Sequence, residues 1–215
     1  MTRKLKLLGL AAVAVLALSA VSVASASAAS FTTQSEPTFL KGLQEGKNVF
    51  TTAAGTVQCS EVEFTSSQIS SKSVSSVTVH PTYHKCTAFG AEATVQTTSC
   101  SYILSIVSVT GSVAAGSVTI GCSTGGIVIN VPSGSNCSVT VGPLPLTASG
   151  HIDYESRGTG ATEAILVTAT VTGIVYSASG NLCGSAGSDG TYSGSTLTKG
   201  YDQAAFTTQH GIFVG

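Results

Sequence analysis

The sequence predicts an all-β fold, a disulfide-stapled antiparallel β-sandwich or a barrel-like relative of it, behind a cleaved export leader. Three observations predict it. Ten or more short runs rich in Val, Ile and Thr recur at fairly even spacing, the pattern of sandwiches and barrels. Past the leader no stretch repeats its apolar residues with helical period. All six cysteines lie between residues 59 and 183, and an even number in an exported chain reads as a disulfide framework.

The leader comes first. Arg3, Lys4 and Lys6 precede an apolar run over residues 7–23, and Ala26-Ser27-Ala28 offers small residues where a signal peptidase reads. Cleavage is expected before Ala29. Serines and alanines take over before the run reaches the ~20 apolar residues of a membrane anchor, and no cysteine stands there to take a lipid. Residues 29–215 are then expected to form one all-β domain, long enough to bury a sizeable core.

Composition narrows the function classes. The leader carries three of the nine basic residues and no acid, which leaves six basic against ten acidic. So few cations cannot track a phosphate backbone, and they form no polybasic membrane patch. Charged residues make up 9% of the chain, against about a quarter in ordinary domains. Ser, Thr and Gly take their place, leaving little material for acid–base chemistry. Tryptophan is absent and Met1 is the sole methionine, so tyrosines would have to supply any stacking platform for a sugar.

In chain order, residues 29–47 read as a frayed start leading into an early strand. Residues 48–50 and 55–59 form a hairpin pair around Ala53-Ala54-Gly55. Val62 and Phe64 alternate with Glu61 and Glu63, a half-buried strand. Serine-rich residues 66–76 read as a surface loop. Val77 and Val79 open the best-ordered stretch, residues 77–90, where Pro81 is expected to end or bulge the ladder because it has no N–H. Tyr83 should then fold back over the sheet, its hydroxyl on a backbone carbonyl. Cys86 fixes the exit of that corner, and Gly90 takes a backbone angle other residues resist.

Residues 93–96 follow, then the longest pair, 100–109 and 113–122, around a hairpin tip at Thr110-Gly111-Ser112. Residues 126–131 and 137–141 pair around Pro132-Ser133-Gly134-Ser135-Asn136, and Pro143 and Pro145 end that pair. Residues 151–155 are a polar strand with its turn at Arg157-Gly158-Thr159-Gly160. Residues 164–177 are too densely β-branched for a helix and read as a strand bulged at Gly173. In the glycine-rich tail, residues 190–194 and 205–208 are the expected strands.

The hairpin register sets Cys100 opposite Cys122, and nearness in sequence joins Cys59 to Cys86. Cys137–Cys183 follows by elimination. The competing set joins Cys122 to Cys137 and Cys100 to Cys183. No C-x-x-C or Cys/His spacing of a zinc site occurs, and no cofactor motif is present.

Three constellations carry chemistry by residue type. In a strand His151, Asp153 and Glu155 share one face, a donor set suited to a divalent cation; the plain alternative is an edge strand with its charges in water. His80 and His84 flank Pro81 and read as surface histidines on a corner. Ser185 and Ser193 are loop serines with no G-x-S-x-G around them. Asp189 is a single acid in a glycine-rich stretch, too little for calcium.

Pro81-Thr82-Tyr83-x-x-Cys86-Thr87-Ala88-Phe89-Gly90 resembles the central motif of a group of uncharacterised secreted β-rich proteins from soil-type bacteria. Cys100-Ser101-Tyr102, the Cys122 and Cys137 pair, and Gly190-Thr191-Tyr192-Ser193-Gly194 fit the same pattern. The resemblance covers most of the mature chain and implies secretion and a β-rich fold. It implies no activity, and it runs through the Pro-Tyr corner, the cysteines and the glycines, not the histidines.

The function expected on these grounds is that of an exported, non-enzymatic protein outside the cell or on its surface, structural or adhesive, contacting wall polymer or other surface proteins. Two alternatives stay open. One is a secreted hydrolase whose site assembles from scattered residues. The other holds a small ligand or sugar between the sheets, using Tyr83, Tyr102, Tyr154 or Tyr176.

Overall fold

A computed structural model of the chain describes residues 29–53, 55–66, 68–132, 136–142, 150–180 and 183–215, most of them in β-strands. The leader, Pro143 and Pro145 lie outside the described residues. Eight antiparallel staves follow one another in sequence, each pairing with the next. The first is β2 (Phe39–Gln44) continued by β3 (Asn48–Thr52), and the second is β4 (Gly55–Ser66). β6 (Ser76–Ala88) is the third, and β7 (Ala91–Gln96) with β8 (Cys100–Thr110) the fourth. The fifth joins β9 (Val113–Cys122) to β10 (Ile127–Val131), the sixth β11 (Cys137–Val141) to β12 (Gly150–Arg157). β13 (Ala164–Ser179) and β14 (Gly187–Tyr201) complete the set.

The ladder closes. β14 pairs back onto the first stave, Leu197 facing Leu43 and Tyr192 facing Phe50. The body is therefore an up-and-down barrel, which leaves none of these staves as a free edge. Alternation along each strand explains why it closes around an apolar interior. Val57, Val62, Val79, Leu104 and Val167 are buried, while Thr56, Thr82, Ser117, Thr119 and Thr170 face outward. A membrane-spanning barrel has the opposite arrangement, apolar outside and polar within. No helix among the described residues is long and apolar enough to cross a membrane.

At the end where β8 turns into β9, a three-stranded sheet covers the barrel. It consists of β1 (Phe31–Thr33), β5 (Ser73–Val74) and β16 (Ile212–Val214). Phe31 and Ile212 are buried beneath it, and the Phe31 ring meets Tyr154 edge to face at 5.1 Å. The other end is filled by Val131, Val139 and Tyr176, with Tyr176 edge-on to Phe50 and its hydroxyl donating to Asp189 at 2.9 Å.

Midway along the barrel almost every stave slips in phase. Ser60 and Glu61 are both exposed, and so are His84 and Lys85 on the facing strand, Lys85 with φ 50°. Each strand gains one residue there, so Cys59 still faces Cys86 and Phe64 still faces Pro81. The fourth and fifth staves are interrupted at the same level, over residues 97–99 and 123–126. In the seventh, Thr172 and Gly173 are both exposed and Gly173 has φ 72°. This is the bulge expected from sequence. A Lys85–Glu61 ion pair of 2.6 Å spans the outer side of the double bulge, and its hydrogen bond holds the Glu61 carboxyl below its ordinary range.

Pro81 does not end the ladder; β6 runs straight through it. Its carbonyl accepts from Thr97 Oγ1 at 2.6 Å, on the side of the interrupted fourth stave. N–H and C=O of one strand residue point the same way, so the missing N–H faces a gap and breaks no rung. Beyond it, Phe89 and Gly90 take φ 54° and 75° and make a tight hairpin turn.

Two other expectations are corrected. Residues 66–76 are not only surface loop, because Ile69 is buried and exchanges backbone hydrogen bonds with Thr38, and β5 joins the end sheet. In the tail, the strand expected at 190–194 is part of the longer β14. Residues 205–208, expected to be extended, lie in a turn closed by Asp202 N–H to Thr208 O and Phe206 N–H to Gln203 O. The terminal strands β15 (Gln209–His210) and β16 come after it.

The three disulfides join Cys59 to Cys86, Cys100 to Cys122 and Cys137 to Cys183. The hairpin tip between β8 and β9 is one residue tighter than expected, with Thr110 facing Val113. A bulge at Val107 restores the register, so Cys100 and Cys122 still meet.

Candidate functional site

The slip in the staves leaves room inside. A cavity of about 170 Å³ lies at the middle of the barrel, walled by apolar side chains such as Val62, Leu104, Ile120, Ile129, Val167 and Ile174. No charged side chain lines it among the described residues. Into this apolar space reach Asn48, Tyr83, Tyr102 and Tyr192, with Ser195 and Thr196 also at the lining.

Each is delivered by a strand at the level of the slip. Tyr83 precedes the bulge of β6 and faces Val62. Tyr102 lies between Val79 and Ile120 on the neighbouring strands. Tyr192 lies between Val171 and Phe50, and Asn48 begins β3 opposite Cys59. Asn48 is 2% exposed. The tyrosines are half-buried, and their rings border the void.

Tyr192 Oη donates to Asn48 Oδ1 at 2.5 Å, and Asn48 Nδ2 points to the Gly46 carbonyl at 3.4 Å. The Tyr83 hydroxyl lies beside those of Tyr192 and Tyr102, and not on a backbone carbonyl as expected from sequence. Burial pushes all three phenols above their ordinary range, Tyr102 and Tyr192 well above it. They stay neutral at physiological pH, so this is a neutral polar cluster and not a source of phenolate.

Gly194 makes the arrangement possible. A Cβ there would collide with Asn48 Oδ1 and stand 2.7 Å from Tyr192 Oη. Gly194→Ala is therefore expected to drive the carboxamide off Tyr192 and cost about 1–3 kcal/mol, the range for a buried polar group left unpaired. Urea unfolding checks this; a cost below ~0.3 kcal/mol would mean that the Asn48–Tyr192 bond survives the added methyl.

The residues singled out from sequence fall in several places. Tyr83 and Tyr102 meet in the cavity, whereas Tyr154 and Tyr176 plug opposite ends of the barrel. His151 pairs with Asp153 at 2.8 Å on the outer face, but Glu155 turns to Arg157 at 3.1 Å. The three do not converge, and among the described residues no group of three His, Cys, Asp or Glu side chains could hold a metal ion. His80 and His84 face outward, as do Ser185 and Ser193, and Asp189, though exposed, holds the Tyr176 hydroxyl at the barrel end.

Sequence reasoning missed Tyr192 and Asn48 as site residues. For Tyr192 a signal existed: Gly190 and Gly194 share its side of the strand and leave space around its ring. For Asn48 none did, since a polar residue at a strand start reads as solvated. No protein-family model, no curated protein and no solved structure matches this chain.

Proposed function

We propose that the protein is an exported, non-enzymatic binding protein that holds one small apolar molecule inside its barrel. The observation that carries this reading is the cavity of about 170 Å³ with its convergent polar cluster. An eight-stranded barrel is just wide enough either to be filled by its own side chains or to hold one small ligand, and here the slip at mid-height leaves it unfilled. Apolar walls with a few placed polar groups are the usual make-up of a small-molecule site. A dry cavity of about 150 Å³ is known to accept benzene. Export is supported by three disulfides, which persist in oxidising compartments, and by the leader pattern at residues 1–28.

Benzene added to the purified, oxidised protein is expected to raise its melting temperature saturably. At a hundredfold excess over Kd the stabilisation should reach about 2.7 kcal/mol. Methyl resonances of Val62 and Ile129 should shift on the same titration. No saturable rise and no shift of those methyls would overturn the reading.

The outward Ser and Thr rows, Ser117 and Thr119 on β9 and Thr170 and Thr172 on β13, support a second reading, contact with cell-wall polymer. A polysaccharide pull-down separates the two.

A further inference from the structure

Gly194, Thr196 and Thr198 form one row on the inner face of β14. Gly194 and Thr196 line the main cavity. Thr198, two residues further on, lines a second pocket of about 10 Å³ towards the end sheet, together with Leu40, Ile165 and Ile212. Phe64, Leu104 and Val167 border both spaces, so one layer of side chains separates them. Thr198 is 3% exposed, and its Oγ1 has no hydrogen-bond partner. A buried hydroxyl left unpaired is costly, and valine has the same shape without that cost. A pocket of this size admits about one water-sized group. A water there would meet a single polar side chain, where a buried water makes about three hydrogen bonds. The pocket suits instead the slim end of a molecule whose body lies in the main cavity.

We infer that the barrel takes an unbranched neutral amphiphile, its alkyl chain in the main cavity and its slim polar end passing between Phe64, Leu104 and Val167 to the Thr198 hydroxyl. This rests on the reading that a small molecule occupies the barrel, and it adds the shape and the end group of that molecule. A threonine hydroxyl both donates and accepts, so a primary alcohol or a carbonyl end can meet it. A charged end is disfavoured, since no charged side chain among the described residues lines either space. A polar group on a branched carbon is too broad for the smaller pocket.

The probes are n-hexanol, n-hexane and dimethylpropylcarbinol, the last a tertiary alcohol with the same atoms as n-hexanol. Affinities are measured by calorimetry on the oxidised wild-type protein and on Thr198→Val. An alcohol loses more hydration than an alkane on entering any apolar site, so the quantity read is the n-hexanol-to-n-hexane affinity ratio, compared between proteins. It is expected to fall about five- to tenfold in Thr198→Val, the worth of one net hydrogen bond, while n-hexane binds as before. The tertiary alcohol cannot bring its hydroxyl to Thr198, so its ratio to n-hexane should stay within about twofold. Thr198→Ser keeps the hydroxyl and should keep the n-hexanol ratio within the same about twofold.

If the variants fail to fold, the wild-type protein still decides. Nuclear Overhauser contacts from the carbinol protons of bound n-hexanol should reach the methyls of Ile165 and Ile212, and those from its far methyl should reach Ile129. An unchanged n-hexanol ratio in Thr198→Val, an equal fall for the tertiary alcohol, or carbinol contacts to Ile129 instead of Ile212 overturns the inference and leaves the binding reading standing. Binding of benzene without binding of n-hexanol does the same. If neither benzene, n-hexane nor n-hexanol binds the wild-type protein, the binding reading itself falls and this inference with it.

Discussion

Replacing Tyr154 by alanine is expected to destabilise the protein by about 3–5 kcal/mol, the range for large aromatic truncations in a packed core. Tyr154 has no exposed surface, and it is the largest side chain buried so completely. It stands on β12 where the barrel meets the end sheet, edge-on to Phe31 at 5.1 Å, its hydroxyl donating to the Ser117 carbonyl at 3.4 Å. On the neighbouring β9, Gly116, which faces Ile152, leaves the space the ring needs, since a Cβ there would overlap the ring. Truncation removes both the ring-to-ring contact and the floor of the barrel, and rigid strands cannot collapse into the space. Tyr154→Phe keeps the ring and should cost only about 1 kcal/mol. Guanidinium unfolding of the two variants checks the pair. A cost below about 1 kcal/mol for the alanine variant would mean that the end sheet does not depend on Tyr154.

Removing the Cys137–Cys183 bridge by a double alanine substitution is expected to cost about 4 kcal/mol, more than removing either of the others. The bridge spans 46 residues, against 27 for Cys59–Cys86 and 22 for Cys100–Cys122. In the chain-entropy account, a longer closed loop restricts the unfolded chain more, and the shorter bridges come out near ~3.5 kcal/mol. A second reason reinforces the order. Cys59 and Cys86 already face each other across a ladder, as do Cys100 and Cys122. Cys183, in contrast, lies between β13 and β14 and is tied to the start of β11, which no ladder does for it. Denaturant midpoints of the three double variants give the ranking. A larger loss for the Cys59–Cys86 variant would show that local strand geometry outweighs loop length.

Much of this fold is legible locally. The β-branched run over 164–177 and its bulge at Gly173 follow from residue type, because one strand and one positive-φ glycine need no distant partner. Cys100 opposite Cys122 follows from hairpin register, although it holds only because the bulge at Val107 offsets a tighter tip. The reading of Pro81 failed for a tertiary reason. Whether a missing N–H breaks a rung depends on what lies beside it, and what lies beside it is the gap between β7 and β8. The apolar face of Tyr83 was foreseen, but not that its hydroxyl lies beside those of Tyr102 and Tyr192.

By itself the sequence determined the all-β class, most strands and the alternation that separates an apolar inside from a Ser/Thr outside. These depend on neighbours within a few residues and on the period of two along a strand. Only the tertiary structure decided that the sheet closes, because closure rests on β14 meeting β2 and β3 across some 150 residues of chain. It also decided that the staves slip together at one level and leave a cavity there. The meeting of Asn48, Tyr83, Tyr102 and Tyr192 is set by the same closure, since their four strands come from separate parts of the chain and share nothing but the inside of the barrel.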